Sequence, residues 1–355
     1  MTSVRFEAQA LEGLGTRIFE AAGASPDTAH TVAAMLVEAN LKGHDSHGVL
    51  RIPQYIDRVR RGQIRPAARP RVLAERGATS LVSGEWGFGQ PAGVAATDEA
   101  VRRAREYGVG AAGLVQCNHL GRVGVYVERA AGADCAAMVW VGGLGTRPAV
   151  PHGGSRSALG TNPIAVGFPV LDEHPVVMDY ATTAIAVGKI MVARAAGKPL
   201  PPGLMLDRNG QPTTDPEEFY KEGALLPFGG HKGYSLSVLA ELLGQALTGA
   251  DRYDDPTSAE EVFRRAGALL VAIHLGAFRP PEEAKGAARN VVARLRKVPP
   301  APGVESVQTP GEPEARTMRQ RIAGGVEIAD ATWRSIVATA ESLGLPARDL
   351  PSPLT

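Results

Sequence analysis

The feature that most constrains the fold of this chain is a glycine string in the wrong setting. Gly108, Gly110 and Gly113 spell G-x-G-x-x-G. That spacing cradles a pyrophosphate only where a strand precedes it and a helix follows, because the phosphate rests on the N-terminus of that helix. Here the order is reversed. The helix-like stretch GVAATDEAVRRAREYG runs up to Gly108, and the apolar run VGAAGLVQC, a predicted strand, follows. Gly108 reads as the stop of the helix DEAVRRAREY. Two further glycine-rich segments fail on spacing: GFGQPAG at Gly87 to Gly93, and PFGGHKGYS, which lacks the G-x-x-x-x-G-K-[ST] pattern of a phosphate loop.

Around this string the periodicity alternates. SPDTAHTVAAMLVEANLKG predicts a helix with Ser25 as N-cap, Pro26 in the first turn and Gly43 as stop. HDSHGVLR is too rich in turn formers for a helix interior, Pro53 opens the helix PQYIDRVRRG that Gly62 closes, and RPAARPRV reads as a linker near position 70. Then come a helix at RVGVYVERAAG and strands at CAAMVWVG, PIAVGFP and PVVMDY. Helices at ATTAIAVGKIMVARAAG and KGYSLSVLAELLGQALTG follow, then a strand at ALLVAIHL and a helix at PEEAKGAARNVVARLRK. A Pro-rich joint, VPPAPGVESVQTPGEP, leads to two terminal helical patterns. The expected fold is mixed α/β (α+β): a central mixed-sheet domain of roughly 200 residues, not Rossmann, embraced by a helical module built from both termini. The expected parts are 1–74, 75–298 and 299–355.

Composition narrows the function classes. With Lys+Arg 38 against Asp+Glu 37, the net charge of +1 gives no basic excess for nucleic acid and no polybasic run for anionic lipid. Cys117 and Cys135 have no metal-type spacing and describe no disulfide framework, so a reducing, cytoplasmic compartment is expected. No stretch is apolar enough for a signal peptide or a membrane span.

The candidate chemistry sits in a few polar segments. In HDSHG, Asp45, Ser46 and His47 are consecutive, so their side chains diverge and cannot form a hydrolase relay. His44 and His47 lack a third ligand at metal spacing, and Asp45 or Ser46 reads equally as a helix cap. If the segment makes a helical turn, His47 and Arg51 share a face. That pairing suits a 2-oxo acid: Arg clamps a carboxylate with two parallel hydrogen bonds, and His exchanges a proton near neutrality. NHLGRVGVY places Asn118 and His119 between a predicted strand and a helix, where open sheets collect ligands. Thr161 and Asn162 bind substrate or stabilise a turn. Asp179 and Tyr180 end a strand, with a helix expected to start nearby and offer its N–H groups to phosphate or ribose. Lys189 falls inside that helix as a solvated charge. Lys232 lies near the start of a later one, where it can hold an anionic phosphate; a pyridoxal role for it is a weaker reading.

Taken together, HDSHGVLRIPQY, GFGQPAG, NHLGRVGVY, PHGGSRSALGTNPIAVGFP, DYATTAIAVGKI, LLPFGGHKGYSLSVLAELLGQALTG and TPGEPEAR resemble the malate/L-lactate dehydrogenase family, which lies outside the Rossmann dehydrogenases. That family also holds ureidoglycolate, sulfolactate and 2,3-diketogulonate enzymes and a branch of cyclic-imine reductases. The resemblance spans nearly the whole chain. It implies a homodimer that uses NAD or NADP, binds no metal and acts on a small anionic 2-hydroxy or 2-oxo acid. His47 matches the proton donor with Ser46 as its helper, and His119 the acid/base of some members. Arg51, Thr161 and Tyr55 match substrate contacts. His119, Leu120, Gly121, Arg122 and Val123, together with Asp179, Tyr180, Ala181, Lys232, Pro310, Gly311, Glu312 and Arg316, match cofactor contacts. Cys117 and Tyr180 depart from the commoner Ser and Met. Lys189 stands where the imine-reductase branch has Asp, which favours the oxo acid. The rival readings are a cyclic ketimine reductase and a non-catalytic nicotinamide or metabolite binder.

Overall fold

The computed structural model describes residues 3–145, 147–195, 197–253, 263–346, 348 and 350–354. In chain order the elements are β1 (Ser3–Phe6), α1 (Ala8–Ala21), α2 (Pro26–Leu41), α3 (Ile52–Arg60), β2 (Arg71–Arg76), β3 (Thr79–Ser83), α4 (Gly89–Tyr107), β4 (Val109–Val115), α5 (Gly124–Ala131), β5 (Cys135–Gly142), β6 (Ile164–Phe168) and β7 (Val176–Tyr180). There follow α6 (Val187–Ala195), β8 (Met205–Leu206), β9 (Pro212–Thr213), β10 (Ala224–Leu225), α7 (His231–Glu241), β11 (Gly267–His274), α8 (Pro281–Arg296), α9 (Glu312–Gly324), β12 (Val326–Ala329) and α10 (Asp330–Ser342). Among the described residues, no helix is long and apolar enough to cross a membrane.

The centre is a seven-stranded mixed sheet in the order β2-β3-β4-β11-β5-β6-β7. Only the β3–β4 pair is parallel. Helices α4 and α5 cover it through a core that includes Ala92, Ala96, Ala100, Leu114, Tyr126, Val139 and Leu270. A second core joins the two ends of the chain: Phe6, Leu14, Phe19, Leu36, Ile52 and Tyr55 pack with Val326, Ile328 and Ile336, and Phe88 reaches in from the loop before α4.

The glycine string is explained by this packing. Gly108 caps α4 at φ 84°, a conformation that costs a β-carbon about 1 kcal/mol or more. Gly110 lies against α4 so closely that a β-carbon would stand 2.1 Å from the Ala100 carbonyl oxygen and 2.5 Å from the Ala104 nitrogen. At Gly113 a β-carbon would crowd Leu81 and Thr248 at 3.2 Å. The three glycines thus join a helix to the strand after it, with no phosphate loop.

Several expectations are corrected. The N-terminus opens with a strand, β1, that pairs with β12 across nearly the whole chain; a four-residue pair so remote in sequence leaves no periodic signal. The supposed linker ends in β2, which, together with β3, was missed. β2 is almost wholly exposed, so its sequence lacks the apolar alternation of a half-buried strand. The helix expected directly after Tyr180 starts only at Val187. Residues 182–184 form no helix because their backbone bonds elsewhere: Thr182 N to Thr161 O at 2.9 Å and Ala184 N to Leu226 O at 2.8 Å. No helix N-terminus therefore stands at Asp179 or Tyr180.

Gly110→Ala is expected to destabilise the protein by about 1–3 kcal/mol or more, the cost of overpacking a rigid contact, whereas Gly77→Ala, with nothing within 4 Å of the added carbon, should cost only the positive-φ strain of about 1 kcal/mol. Denaturant midpoints of the two variants check the order; equal midpoints would contradict the packing account.

Candidate active site

The turn between α2 and α3 forms as two consecutive 3-10 turns, Asp45–His47 and Val49–Arg51, parted by an extended Gly48. Asn40 holds it. Its Oδ1 accepts from Val49 N at 2.8 Å and its Nδ2 donates to Asp45 Oδ1 at 2.7 Å. Gly48 is packed on that amide, where a β-carbon would lie 2.1 Å from Asn40 Oδ1. Asp45 does not cap a helix and does not face His47. Its carboxylate is taken by both terminal nitrogens of Arg321 on α9, at 2.5 and 3.0 Å. His44 turns to Glu314, at 3.4 Å, so the two histidines of this segment diverge.

His47 turns inward. Its ring stacks on that of His119, centroids 5.5 Å apart and planes 20° apart. Ser46 Oγ lies 2.9 Å from His47 Nδ1. His119 is delivered from the other side by the segment between β4 and α5. Asn118 anchors that segment, its Nδ2 donating to the carbonyls of Gln63, Trp86 and Gly87 at 2.9–3.1 Å. Gly89 lets the start of α4 come against it, since a β-carbon there would meet His119 O at 2.2 Å. The Tyr55 hydroxyl is 2.7 Å from His119 Nδ1, and Gln90 Nε2 donates to that hydroxyl at 2.9 Å. Tyr55, expected as a substrate contact, is 1% exposed, and its hydroxyl bonds His119 and Gln90.

Arg51 completes the cluster. Its Nε donates to Ser46 O at 2.7 Å and one terminal nitrogen to Gln54 Oε1 at 2.6 Å. Among the described residues it forms no ion pair. Burial lowers its pKa, and its charge acts on both histidines. His47 is pushed down to about 3, by burial first and then by Arg51, His44 and Arg122. His119 is driven well below its ordinary value, by burial first and then by Arg51 and His47. Both rings are therefore neutral at pH 7, beside a cation with no counter-charge among the described residues.

The expected cofactor residues gather along β7, the edge strand of the sheet. Asp179 accepts from Gly124 N at 2.7 Å and lies 3.6 Å from Arg122 Nε. Arg122 is buried and bonds Glu128 twice at 2.9 Å, and Lys42 joins Glu128 to Glu38 at 2.5 and 2.6 Å. Burial raises the Asp179 carboxyl despite Arg122. For Glu128 burial pushes the same way, but Arg122 and Lys42 outweigh it and hold it below the usual range. The Arg122 side chain is thus largely spent on Glu128, and Asp179 on Gly124 N with Arg122 close by. Pro310 O accepts from Val177 N at 3.1 Å, and Gly311, at φ 91°, leaves no room for a β-carbon against Val177 N and Pro175 O. Glu312 closes back on Thr309 N at 2.9 Å, and Arg316 is exposed. Tyr180 packs edge-on to Phe228 at 5.1 Å, and Thr183 bridges to Pro227, so the loop leading to exposed Lys232 lies beside residues 180–184. Thr161 joins the same segment, its carbonyl accepting from Thr182. Asn162 is committed to Ser237 and Glu241 on α7. Gly188, beside exposed Lys189, brings α6 onto the turn that carries Ser46 and His47: a β-carbon there would be 2.9 Å from Ser46 Cβ.

The edge carries backbone groups, the positive-φ Gly311 and the exposed Lys232, and α6 joins it to the turn of Ser46, His47 and Arg51. Asn40, Asp45, Arg321 and Gln90 were not singled out as site residues from sequence. Each acts through a contact remote in sequence or through a neighbour, and only the quoted GFGQPAG string carried a hint of Gln90.

The malate/L-lactate dehydrogenase family model matches residues 6–337. Hydroxycarboxylate dehydrogenase B of Escherichia coli (strain K12) is 34% identical over 98% of this chain and 96% of its own. The Δ1-pyrroline-2-carboxylate/Δ1-piperideine-2-carboxylate reductase of Pseudomonas putida is 38% identical over 70% of this chain and 72% of its own. The solved sulfolactate dehydrogenase of Methanocaldococcus jannaschii superposes with a TM-score of 0.88 at 33% identity, covering 98% of this chain and 99% of that one. The chain belongs to the malate/L-lactate dehydrogenase family.

Proposed function

We propose that this protein is an NAD(P)-dependent dehydrogenase that interconverts a small 2-hydroxy acid and its 2-oxo acid. One observation carries the reading: Arg51, half-buried and without an acidic partner among the described residues, stands beside two neutral, stacked histidines. A buried cation without a counter-ion is costly, and a substrate carboxylate would supply one through two parallel hydrogen bonds. The relatives named as hydroxycarboxylate and sulfolactate dehydrogenases support the same class.

In this reading the part formed by residues 1–74 and 299–355 supplies Ser46, His47 and Arg51. The part formed by 75–298 supplies His119, Thr161, Asp179, Tyr180, Ala181 and Lys232 toward substrate and cofactor. Arg51 holds the carboxylate and so places C2 and its oxygen at the two imidazoles. The nicotinamide ring, when bound, accepts or donates the hydride. One histidine takes the hydroxyl proton in oxidation and returns it in reduction. The carboxylate neutralises Arg51, one cause of the depressed His47 pKa, so substrate binding itself raises the proton affinity of that base. A cyclic imine carboxylate is the second reading, favoured by the Pseudomonas putida relative.

A cofactor-oxidation screen with NADH and NADPH against pyruvate, oxaloacetate, longer 2-oxo acids and cyclic imines tests the class; faster turnover of imines than of oxo acids would select the second reading. On the best substrate, His47→Gln or His119→Gln should lower kcat by about a hundredfold or more; if neither does, the assigned chemistry is wrong. The pH profile follows from the sign of the shift. Oxidation requires a neutral base, and in the protein without substrate His47 stays neutral down to about pH 3. At saturating cofactor, kcat/KM for oxidation should therefore show no acid limb from His47 near 6.5, its ordinary value. The acid limb of kcat, which reports the substrate complex, should lie at higher pH than that of kcat/KM. An inflection of kcat/KM near 6.5 that vanishes in His47→Gln would contradict this.

A further inference from the structure

We propose that Gln90 and Tyr55 form a relay that fixes His119 as a hydrogen-bond donor to the substrate oxygen and leaves His47 as the group that moves the proton. This assignment rests on the dehydrogenase reading above.

Gln90 and Tyr55 are each 1% exposed. The Tyr55 hydroxyl has two partners, Gln90 Nε2 at 2.9 Å and His119 Nδ1 at 2.7 Å. An amide nitrogen only donates, so the phenol oxygen accepts from Gln90. The phenol has a single proton, and burial raises its pKa, so it stays protonated. That proton goes to His119 Nδ1, because leaving a buried O–H unpaired costs about 1–3 kcal/mol. A neutral imidazole that accepts at Nδ1 carries its proton on Nε2. Nε2 has no hydrogen-bond partner among the described residues, so it is the nitrogen open to a ligand.

The Gln90 amide orientation has its own support. As placed, the atom left without a partner is Oε1. Turning the amide over would leave the NH2 group orphaned instead, and buried unpaired N–H groups are rarer than unpaired carbonyls. The turned amide would also draw the phenol proton toward Gln90 and move the His119 proton to Nδ1.

His47 has no such lock. Its Nδ1 meets Ser46 Oγ at 2.9 Å, and a hydroxyl donates or accepts by rotation. His47 can therefore hold or release a proton at Nε2 while its other nitrogen stays bonded. In oxidation the C2–H and O–H bonds of the hydroxy acid break: the hydride goes to the oxidised nicotinamide, the proton to His47 Nε2, and the C2=O bond forms. His119 Nε2–H donates to that oxygen throughout and keeps its proton, stabilising the charge that develops there. Gln90 and Tyr55 are positioning residues, acting through His119.

The test reads the tautomer directly. Histidine labelled with 13C and 15N is introduced into the full-length protein, and the His119 ring signals are assigned by their loss in His119→Asn. The wild type is expected to show the Nε2–H signature, and Tyr55→Phe to shift it toward a mixture or to Nδ1–H. Tyr55→Phe and Gln90→Met should each lower kcat by about tenfold or more while KM for the acid changes by less than about threefold, since the donor is lost in the transition state and not the carboxylate clamp. An Nδ1–H signature in the wild type overturns the relay, and needs no variant to fold. An unchanged tautomer in Tyr55→Phe also overturns it. The Nε2–H signature in a protein that turns over no 2-oxo or 2-hydroxy acid overturns the dehydrogenase reading and leaves the relay standing.

Discussion

The Asp45 carboxylate is gripped by Arg321 and by the Asn40 amide, and the turn that carries Ser46, His47 and Arg51 keeps its shape because of it. The pair is half-exposed on the Asp45 side, so its contribution to stability is about 1 kcal/mol or less; its value is geometric. It ties a helix from the C-terminal part of the chain to the turn that opens the site, and Asn40 fixes the same turn from within through Val49 N. Behind it, a single core drawn from both chain ends supplies the rigidity. The two small strands β1 and β12 close that core, bringing residues from opposite ends of the sequence under one active-site wall.

The opposite wall is the edge of the central sheet. There the charges are arranged in two ways. Arg122, Glu128, Lys42, Glu38 and Asp179 form a connected network of ion pairs in which Arg122 is buried and the other four are partly exposed. Arg51, only a short way along the chain, has no acidic partner among the described residues. That contrast is why the proposed function rests on Arg51 and not on the more numerous ion pairs around Asp179.

Much of this was legible in the sequence for local reasons. The reversed order of helix and strand about Gly108 to Gly113 ruled out the Rossmann loop, and the packing of Gly110 on α4 gives the physical cause. Strands with strong apolar runs, such as β5 and β11, and the Ser25-capped α2 were readable because their signals are periodic and short-range. What escaped was non-local or exposed: the β1–β12 pair, the solvent-facing β2, and the non-helical segment 182–184, whose helix-like composition is overridden by hydrogen bonds to distant loops. In the site, His47, Arg51 and His119 stood out by residue type, while Gln90 and Arg321 did not, because an amide or a guanidinium that acts through a neighbour has no motif of its own. Tyr55 was named from sequence, but its burial and its hydrogen bonds to His119 and Gln90 were not legible there, since both partners are remote in sequence.

The account stands on Arg51 as the anchor of a substrate carboxylate, and the most direct measurement is calorimetric titration of oxamate, a non-reactive mimic of a 2-oxo acid, into the protein saturated with NADH or NADPH. Arg51→Gln should weaken oxamate binding by about tenfold to a hundredfold, the loss of charge-assisted hydrogen bonds, with reduced-cofactor affinity unchanged. Equal oxamate affinity in the wild type and the variant would contradict the account at its centre.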